Sequence, residues 1–304
     1  MHSSQPSHSN ARMGAAGKNR HRDYALRTYG TIRAEMPTCP TVDFGSRQDS
    51  ERSEAVQEAA ELFMEHGGVL LKGVFALDYI ADLHRAFVDT YAQYLEDREF
   101  DDALTVGTKR TQVTVAIEGP FNSPQLYAND CVLPVLKLVL GEQLIVGSFG
   151  AVVSLPGAPN QHSHRDHPNI YELTQADATD PWVDIVLPPY ALNAIVPLVP
   201  LNATNGTTHL WLGSHLVPKS KAGEMPSVDP FADVGDCLLV DYRLMHAGNA
   251  NHSANPRPIL YNMYCRPWFR DSRNYRLQRP VRISREEYLR VPQEFRFLFN
   301  WWRR

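Results

Sequence analysis

Apolar positions recur first at helical and then at strand spacing along this 304-residue chain. Val56, Ala60, Phe63 and Met64 fall on one helical face, with Ser53 placed to cap and Glu54 in the first turn; Gly67-Gly68 ends the run. A short apolar strand, Val69-Leu70-Leu71, follows. Asp78 is placed to cap a second helix whose inner stripe is Ile80, Leu83, Phe87 and Tyr91. From about Thr108 the period drops to two: Thr111, Val113, Val115 and Ile117 alternate with Gln112, Thr114 and Ala116. A helix near Val132–Leu140, closed by Gly141, precedes an apolar strand over Leu144–Ser154. Five further β-rich runs follow, at Trp182–Leu187, Tyr190–Val199, Thr207–Leu212, Asp236–Tyr242 and Arg257–Tyr264, with Asn205-Gly206 as a hairpin signal. The last segment, Arg285–Trp302, reads as an aromatic helix outside the strands. Strands and helices do not alternate, which disfavours a parallel doubly wound sheet. The pattern predicts a mainly β fold with flanking α-helices, a double-sheet jelly roll of the cupin-like kind.

Composition narrows the function. A hydrophobic fraction of 43% with 10% aromatics supports a packed core, and a net charge of −4 gives no basic field for nucleic acid. No apolar run approaches the ~18 residues of a membrane span, and no basic start leads into an apolar stretch, so neither a membrane anchor nor a signal peptide is expected. Cys39, Cys131, Cys237 and Cys265 are widely separated, which fits reduced thiols in a cytoplasmic setting. Residues 1–50 are expected to be a mostly disordered tail and 51–304 a single domain; the tail's His2, His8 and His21 read as scattered surface histidines.

The chemistry concentrates in Gln161-His162-Ser163-His164-Arg165-Asp166-His167. In an extended segment, His164 and Asp166 share a face, supplying an imidazole and a carboxylate. A second histidine would complete the 2-His-1-carboxylate set of non-haem Fe(II) oxygenases. His246 is the candidate, just beyond the apolar run Cys237–Asp241; His252 competes from a polar loop, and His209 and His215 read as structural. Arg257 opens an otherwise apolar strand eleven positions after His246. If it points inward it needs an anion, and its planar fork suits a carboxylate.

These features together resemble the phytanoyl-CoA dioxygenase family of Fe(II)/2-oxoglutarate oxygenases. The resemblance is carried by Glu65-His66-Gly67-Gly68-Val69-Leu70-Leu71, by Gln161-x-x-His164-x-Asp166, by Asn205-Gly206-Thr207-Thr208 leading to Gly213-Ser214-His215, and by His246 with Arg257. It implies a double-stranded β-helix, Fe(II) on His164, Asp166 and His246, the distal carboxylate of 2-oxoglutarate on Arg257, and O2 as oxidant. It further implies co-substrate contacts from Thr208 and Asn193, and places Arg110 near the co-substrate or the substrate. Gly248 stands where some members carry a hydroxyl residue, so that either Ser253 supplies that hydrogen bond or none is made. With Asp at 166 rather than a small residue, hydroxylation or desaturation of a small molecule is expected rather than halogenation. Two other readings stay open: a cupin-like metal enzyme not using 2-oxoglutarate, and a non-catalytic jelly-roll binding module. The loops Ala158–Asp180 and Val217–Asp233, with Tyr171 and Trp182, are expected to form the mouth.

Overall fold

The first apolar stripe forms α1 (Arg52–His66), which buries Ala55, Val56, Ala59, Ala60 and Phe63 and leaves Met64 exposed. The structure, a computed structural model, describes residues 38–167, 187–275 and 278–303. Helix α1 begins at Arg52 rather than behind Ser53. A 3-10 turn, Asp49–Glu51, leads into it, and the Glu51 carboxylate accepts the Gln48 N–H at 3.0 Å. Gly67 stops the helix at φ 77°, where an added Cβ would lie 2.4 Å from the His215 ring. In α2 (Leu77–Tyr91) the expected stripe of Ile80, Leu83, Phe87 and Tyr91 is buried; Asp78 sits inside the first turn and Ala76 takes the cap position. The third helix, α3 (Val132–Leu140), ends at Gly141 as its sequence predicts.

In chain order the strands are β1 (Thr41–Asp43), β2 (Gly68–Lys72), β3 (Leu104–Gly107), β4 (Arg110–Thr114), β5 (Ile145–Ser154), β6 (Ala191–Pro197), β7 (Thr208–Trp211), β8 (Ser227–Val228), β9 (Cys237–Asp241), β10 (His246–Gly248) and β11 (Arg257–Cys265). Eight of them form a large sheet in the order β1-β2-β9-β6-β11-β5-β4-β3, and β10-β7-β8 form a small one. Every pairing is antiparallel except β1 with β2.

Alternation sorts the two faces of the large sheet. Val69, Leu71, Cys237, Leu239, Ala194 and Val196 join the helices in the main core. Leu70, Leu238, Val240, Ile195, Val152 and Ile259 turn the other way and meet Leu210 and Val228 of the small sheet. Both faces are therefore covered, which is why these strands read as unbroken apolar runs. This is the jelly roll the pattern predicted.

Four expectations change. Order begins before Glu51, because Thr41–Asp43 already pairs with Leu70–Lys72 inside the segment expected as tail. The strand expected from about Thr108 is half of a hairpin with β3, turned at Lys109 with φ 54°. Asn205-Gly206 makes no hairpin: β6 and β7 belong to different sheets, and the Asn202 carbonyl and side chain gather the backbone N–H groups of Thr204, Asn205 and Gly206 into a crossover turn. The C-terminal helix stops at Arg290, since Val291-Pro292 cannot continue it, and resumes as a 3-10 segment that buries Leu298 and Phe299 in the main core. Residues 1–37 and the run expected at Trp182–Leu187, except Leu187, lie outside the described residues.

Candidate metal and co-substrate centre

The segment carrying His164 crosses to the small sheet by a single bridge. His164 N–H donates to the His246 carbonyl at 2.9 Å, and His246 N–H returns the bond at 2.8 Å. This exchange places the two imidazoles side by side, ring centroids 4.4 Å apart, although 82 positions separate them in sequence (246 − 164). Asp166 Oδ1 lies 3.6 Å from His246 Nε2. One ligand atom from each of His164, Asp166 and His246 lies within 4.8 Å of the others. His162 lines the same cavity outside this group, and His252 lies on the opposite side of the small sheet.

Hydrogen bonds prepare each donor. His164 Nδ1 lies 3.0 Å from the His162 carbonyl and His246 Nδ1 3.0 Å from the Leu244 carbonyl. A carbonyl only accepts, so both Nδ1 atoms carry a proton, and Nε2 is the atom each ring has left to offer a cation. Burial, and then the neighbouring His246, hold the His164 pKa below its ordinary value, which favours the neutral, ligating form. On Asp166, Oδ2 accepts from Asn193 Nδ2 at 2.7 Å and from the Tyr261 hydroxyl at 2.9 Å, while Asn193 also donates to Tyr261 at 2.8 Å. Oδ1 is left for the cation. Three donors of the right type, turned toward one point by their own hydrogen bonds, fit a ferrous ion.

The same cavity, of about 340 Å³, has a cationic end. Arg110 on β4 and Arg257 on β11 both pair with Ser154 of β5, so they project side by side from one face of the large sheet. Each is only 2% exposed. Their protein partners are backbone carbonyls: Pro159 and Asn249 for Arg110, and Thr207, at 3.4 Å, for Arg257. Neither has an acidic partner among the described residues, and the Nε of each is buried without a hydrogen-bond partner. Burial pushes the Arg110 pKa down to about 10; burial and then the Arg110 charge push Arg257 down to about 9. Two adjacent buried guanidinium groups without a counter-charge are a strong demand for an anion.

Thr208 lines this cavity from the start of β7. Two expectations fail. Asn193 does not line the cavity; it is fully buried behind Asp166 and holds that carboxylate. The Ser253 hydroxyl is spent within its own loop, on Asn251 and Asn255. No hydroxyl is accommodated at Gly248 either, because a Cβ there would lie 2.6 Å from Gln161 Oε1 and 3.2 Å from Arg110. The expected mouth also shifts. Val217–Asp233 contributes Asp229 and Phe231 to a separate depression on the outer side of the small sheet. Of Ala158–Asp180, Gln161, His162, His164, Arg165 and Asp166 do line the cavity, Leu104–Gly107 of β3 and Asn274 border it as well, and Tyr171 and Trp182 lie outside the described residues.

Sequence reasoning missed Tyr261 and Gln161 as site residues. Tyr261 stands among apolar strand residues, and its spacing from Arg257 by four places is the available signal of a shared face. Gln161 accepts the Gly248 N–H at 2.7 Å and so braces the strand that carries His246. The motif Gly213-Ser214-His215 has a similar office: Ser214 Oγ accepts the Met245 N–H at 2.7 Å, fixing the residue just before His246, and His215 lies 3.3 Å from the Met64 carbonyl.

The chain matches the phytanoyl-CoA dioxygenase family over residues 63–259. It belongs to that family. It is 26% identical over 228 residues to the iron/alpha-ketoglutarate-dependent dioxygenase penM of Penicillium thymicola, covering 69% of each chain. It is 28% identical over 166 residues to dioxygenase af480 of Aspergillus fumigatus, a match spanning 52% of this chain but only 50% of that relative. Among solved structures, the epimerase SnoN in complex with Fe3+, alpha ketoglutarate and nogalamycin RO superposes with a TM-score of 0.54 at 18% identity, covering 72% of this chain and 87% of that one. HygX from Streptomyces hygroscopicus, with nickel and 2-oxoglutarate bound, gives a TM-score of 0.54 at 18% identity, covering 71% and 89%. At these identities the structural likeness establishes the double-stranded β-helix fold.

Proposed function

We propose that this family member is an Fe(II)- and 2-oxoglutarate-dependent oxygenase that hydroxylates or desaturates a C–H position of a small molecule. The observation that carries the reading is the pairing of two sites in one cavity. Two imidazoles and a single carboxylate oxygen converge at one end, and two anion-seeking arginines stand at the other. Neither a cupin-like metal enzyme without 2-oxoglutarate nor a metal-free binding module needs both.

In this reading His164 Nε2, His246 Nε2 and Asp166 Oδ1 hold the iron. Arg257 and Arg110 receive the distal carboxylate of 2-oxoglutarate, Thr208 contacts it from the facing sheet, and Asn193 and Tyr261 keep Asp166 turned. When bound, iron, 2-oxoglutarate and O2 supply the oxidising chemistry, in which loss of CO2 and formation of succinate are coupled to attack on a C–H bond. With only three protein donors, a bound ion would keep room for co-substrate and oxidant. Val152 and Ile259 line the cavity between the two ends with apolar surface.

Anaerobic Fe(II) titration of the purified chain, followed by assay of succinate release with 2-oxoglutarate and O2, tests the reading. One equivalent of iron that depends on His164 and His246, and succinate release that depends on Arg257, support it. Metal-dependent turnover that survives Arg257→Ala would favour the cupin-like alternative. Among the described residues no helix is long and apolar enough to cross a membrane. The free thiols Cys39, Cys131, Cys237 and Cys265 support a cytoplasmic setting.

A further inference from the structure

Two spaces meet beside Arg110. One is the cavity of the metal donors and the arginines; the other is the depression of about 490 Å³ on the outer side of the small sheet. Among the described residues, Gln161 alone lines both. The partition between them is thin. Arg110 forms part of it, with Nη1 donating to the Pro159 carbonyl at 3.2 Å and Nη2 to the Asn249 carbonyl at 2.9 Å. Asn249 and Asn160, the neighbour of Pro159, both edge the outer depression.

Gln161 fills the rest. Its backbone N–H donates to the Gly248 carbonyl at 2.9 Å, its Oε1 accepts the Gly248 N–H at 2.7 Å, and its Nε2 donates to the Val106 carbonyl. The side chain therefore ties β10, at the edge of the small sheet, to β3, at the edge of the large one. One end of the amide faces a donor and the other an acceptor, so the group has a single orientation. Two glycines make room for it. A Cβ at Gly107 would lie 3.5 Å from Gln161 Cγ and 3.6 Å from Arg110 Nη1, and one at Gly248 would lie 2.6 Å from Gln161 Oε1 and 3.2 Å from Arg110 Cζ. At both glycines the same added atom would touch both side chains, so the amide and the guanidinium stand side by side. Where the partition stands is set by the length of the residue at 161.

Resting on the oxygenase reading above, we propose that Gln161 is a specificity-determining residue for the co-substrate: its side chain closes the arginine end of the cavity and limits the 2-oxo diacid to five carbons. The metal donors hold one end of the acid and the arginines the other. A diacid one methylene longer must press its distal carboxylate past Arg110, against a side chain tied at both ends. Overfilling a packed site by one methylene costs about tenfold or more in affinity. A shorter side chain at 161 opens the partition toward the outer depression, and the extra methylene is then accommodated. Gln161 also braces the strand of His246, but bracing alone acts on both acids alike, whereas a length limit changes their ratio.

The test titrates 2-oxoglutarate and 2-oxoadipate calorimetrically into the full chain loaded anaerobically with Fe(II), and reads the ratio of the two Kd values. The native chain is expected to favour 2-oxoglutarate about tenfold or more. Gln161→Ala, and Gln161→Asn, which is one methylene shorter and keeps an amide, are expected to lower that ratio about fivefold or more through tighter binding of 2-oxoadipate. Gln161→Met keeps the length, loses both side-chain hydrogen bonds, and is expected to keep the native ratio. A native chain that binds both acids alike overturns the inference. So does a ratio that stays unchanged in both short variants, or that falls only because 2-oxoglutarate binds less well. A Met variant that falls as far as the Ala variant, or loss of Fe(II) from both short variants, makes Gln161 a brace alone and overturns it too. Failure of 2-oxoglutarate to bind the native chain refutes the oxygenase reading beneath, whereas binding with the wrong ratios refutes only the role of Gln161.

Discussion

Replacing Arg257 by Met should make the empty protein more stable and the co-substrate weaker, two opposite shifts from one substitution. Arg257 and Arg110 stand on strands either side of β5, each opposite Ser154. Strand spacings of ~4.8 Å put their backbones ~10 Å apart. For guanidinium groups separated by ~8 Å at an effective dielectric of ~20, the repulsion is about 2 kcal/mol. To this is added the cost of burying an Arg257 Nε that has no partner, about 1–3 kcal/mol. Methionine keeps part of the aliphatic stem and removes both penalties, about 3–5 kcal/mol together, but loses the hydrogen bond to the Thr207 carbonyl, about 1 kcal/mol, so urea unfolding of the ligand-free variant should show a gain of about 2–4 kcal/mol. Against this, 2-oxoglutarate loses a charge-assisted, two-pronged contact, and its Kd should rise about 100-fold or more, equivalent to about 3 kcal/mol. Isothermal titration in the presence of Fe(II) measures the second shift. A ligand-free variant less stable than the native chain would show that Arg257 is a structural residue paired within the fold, and the anion argument would fail.

Other consequences follow from single contacts. Tyr261→Phe removes one of two donors to Asp166 Oδ2 and should weaken Fe(II) binding about tenfold or more in anaerobic titration, with the fold intact by circular dichroism; unchanged affinity would mean Asn193 alone positions the carboxylate. Gly248→Ser places a Cβ against Gln161 Oε1 and Arg110 and should lower 2-oxoglutarate affinity and cost about 1–3 kcal/mol of stability, since Gln161 must give up the Gly248 N–H; improved affinity would restore the hydroxyl role proposed for that position in relatives. His215 is fully buried and its pKa is pushed down to about 4 by burial. The unfolded chain therefore binds the extra proton first, near pH 6.5, and stability should fall as pH drops from about 6.5 toward 4, by about 3 kcal/mol from this group; burial moves His66, His84 and His164 in the same direction. Urea midpoints at pH 7 and pH 5 measure this, and a His215→Gln variant whose pH dependence is as steep as the native one would remove His215 as the cause.

Local pattern determined much of this protein. The stripe Ile80, Leu83, Phe87 and Tyr91 named its buried face, Gly67 and Gly141 named two helix ends, and unbroken apolar runs announced strands covered on both sides. The donor chemistry was also local: an imidazole and a carboxylate two positions apart, and an arginine with no reason to open an apolar strand. Only the tertiary structure decided who meets whom. The bridge between His164 and His246 depends on two sheets closing over each other, and no spacing in the chain encodes that distance. Asn193 and Tyr261 were strand residues until β6 and β11 paired in a register that brings both to Asp166. Arg110 became half of an anion site because β4 and β11 flank the same strand, and Ser253 lost its expected role because its nearest acceptors lie in its own loop. Periodicity reports which way a side chain faces relative to its own backbone; convergence on a metal or an anion is set by pairings between strands distant in sequence, and those are fixed only when the whole core is buried.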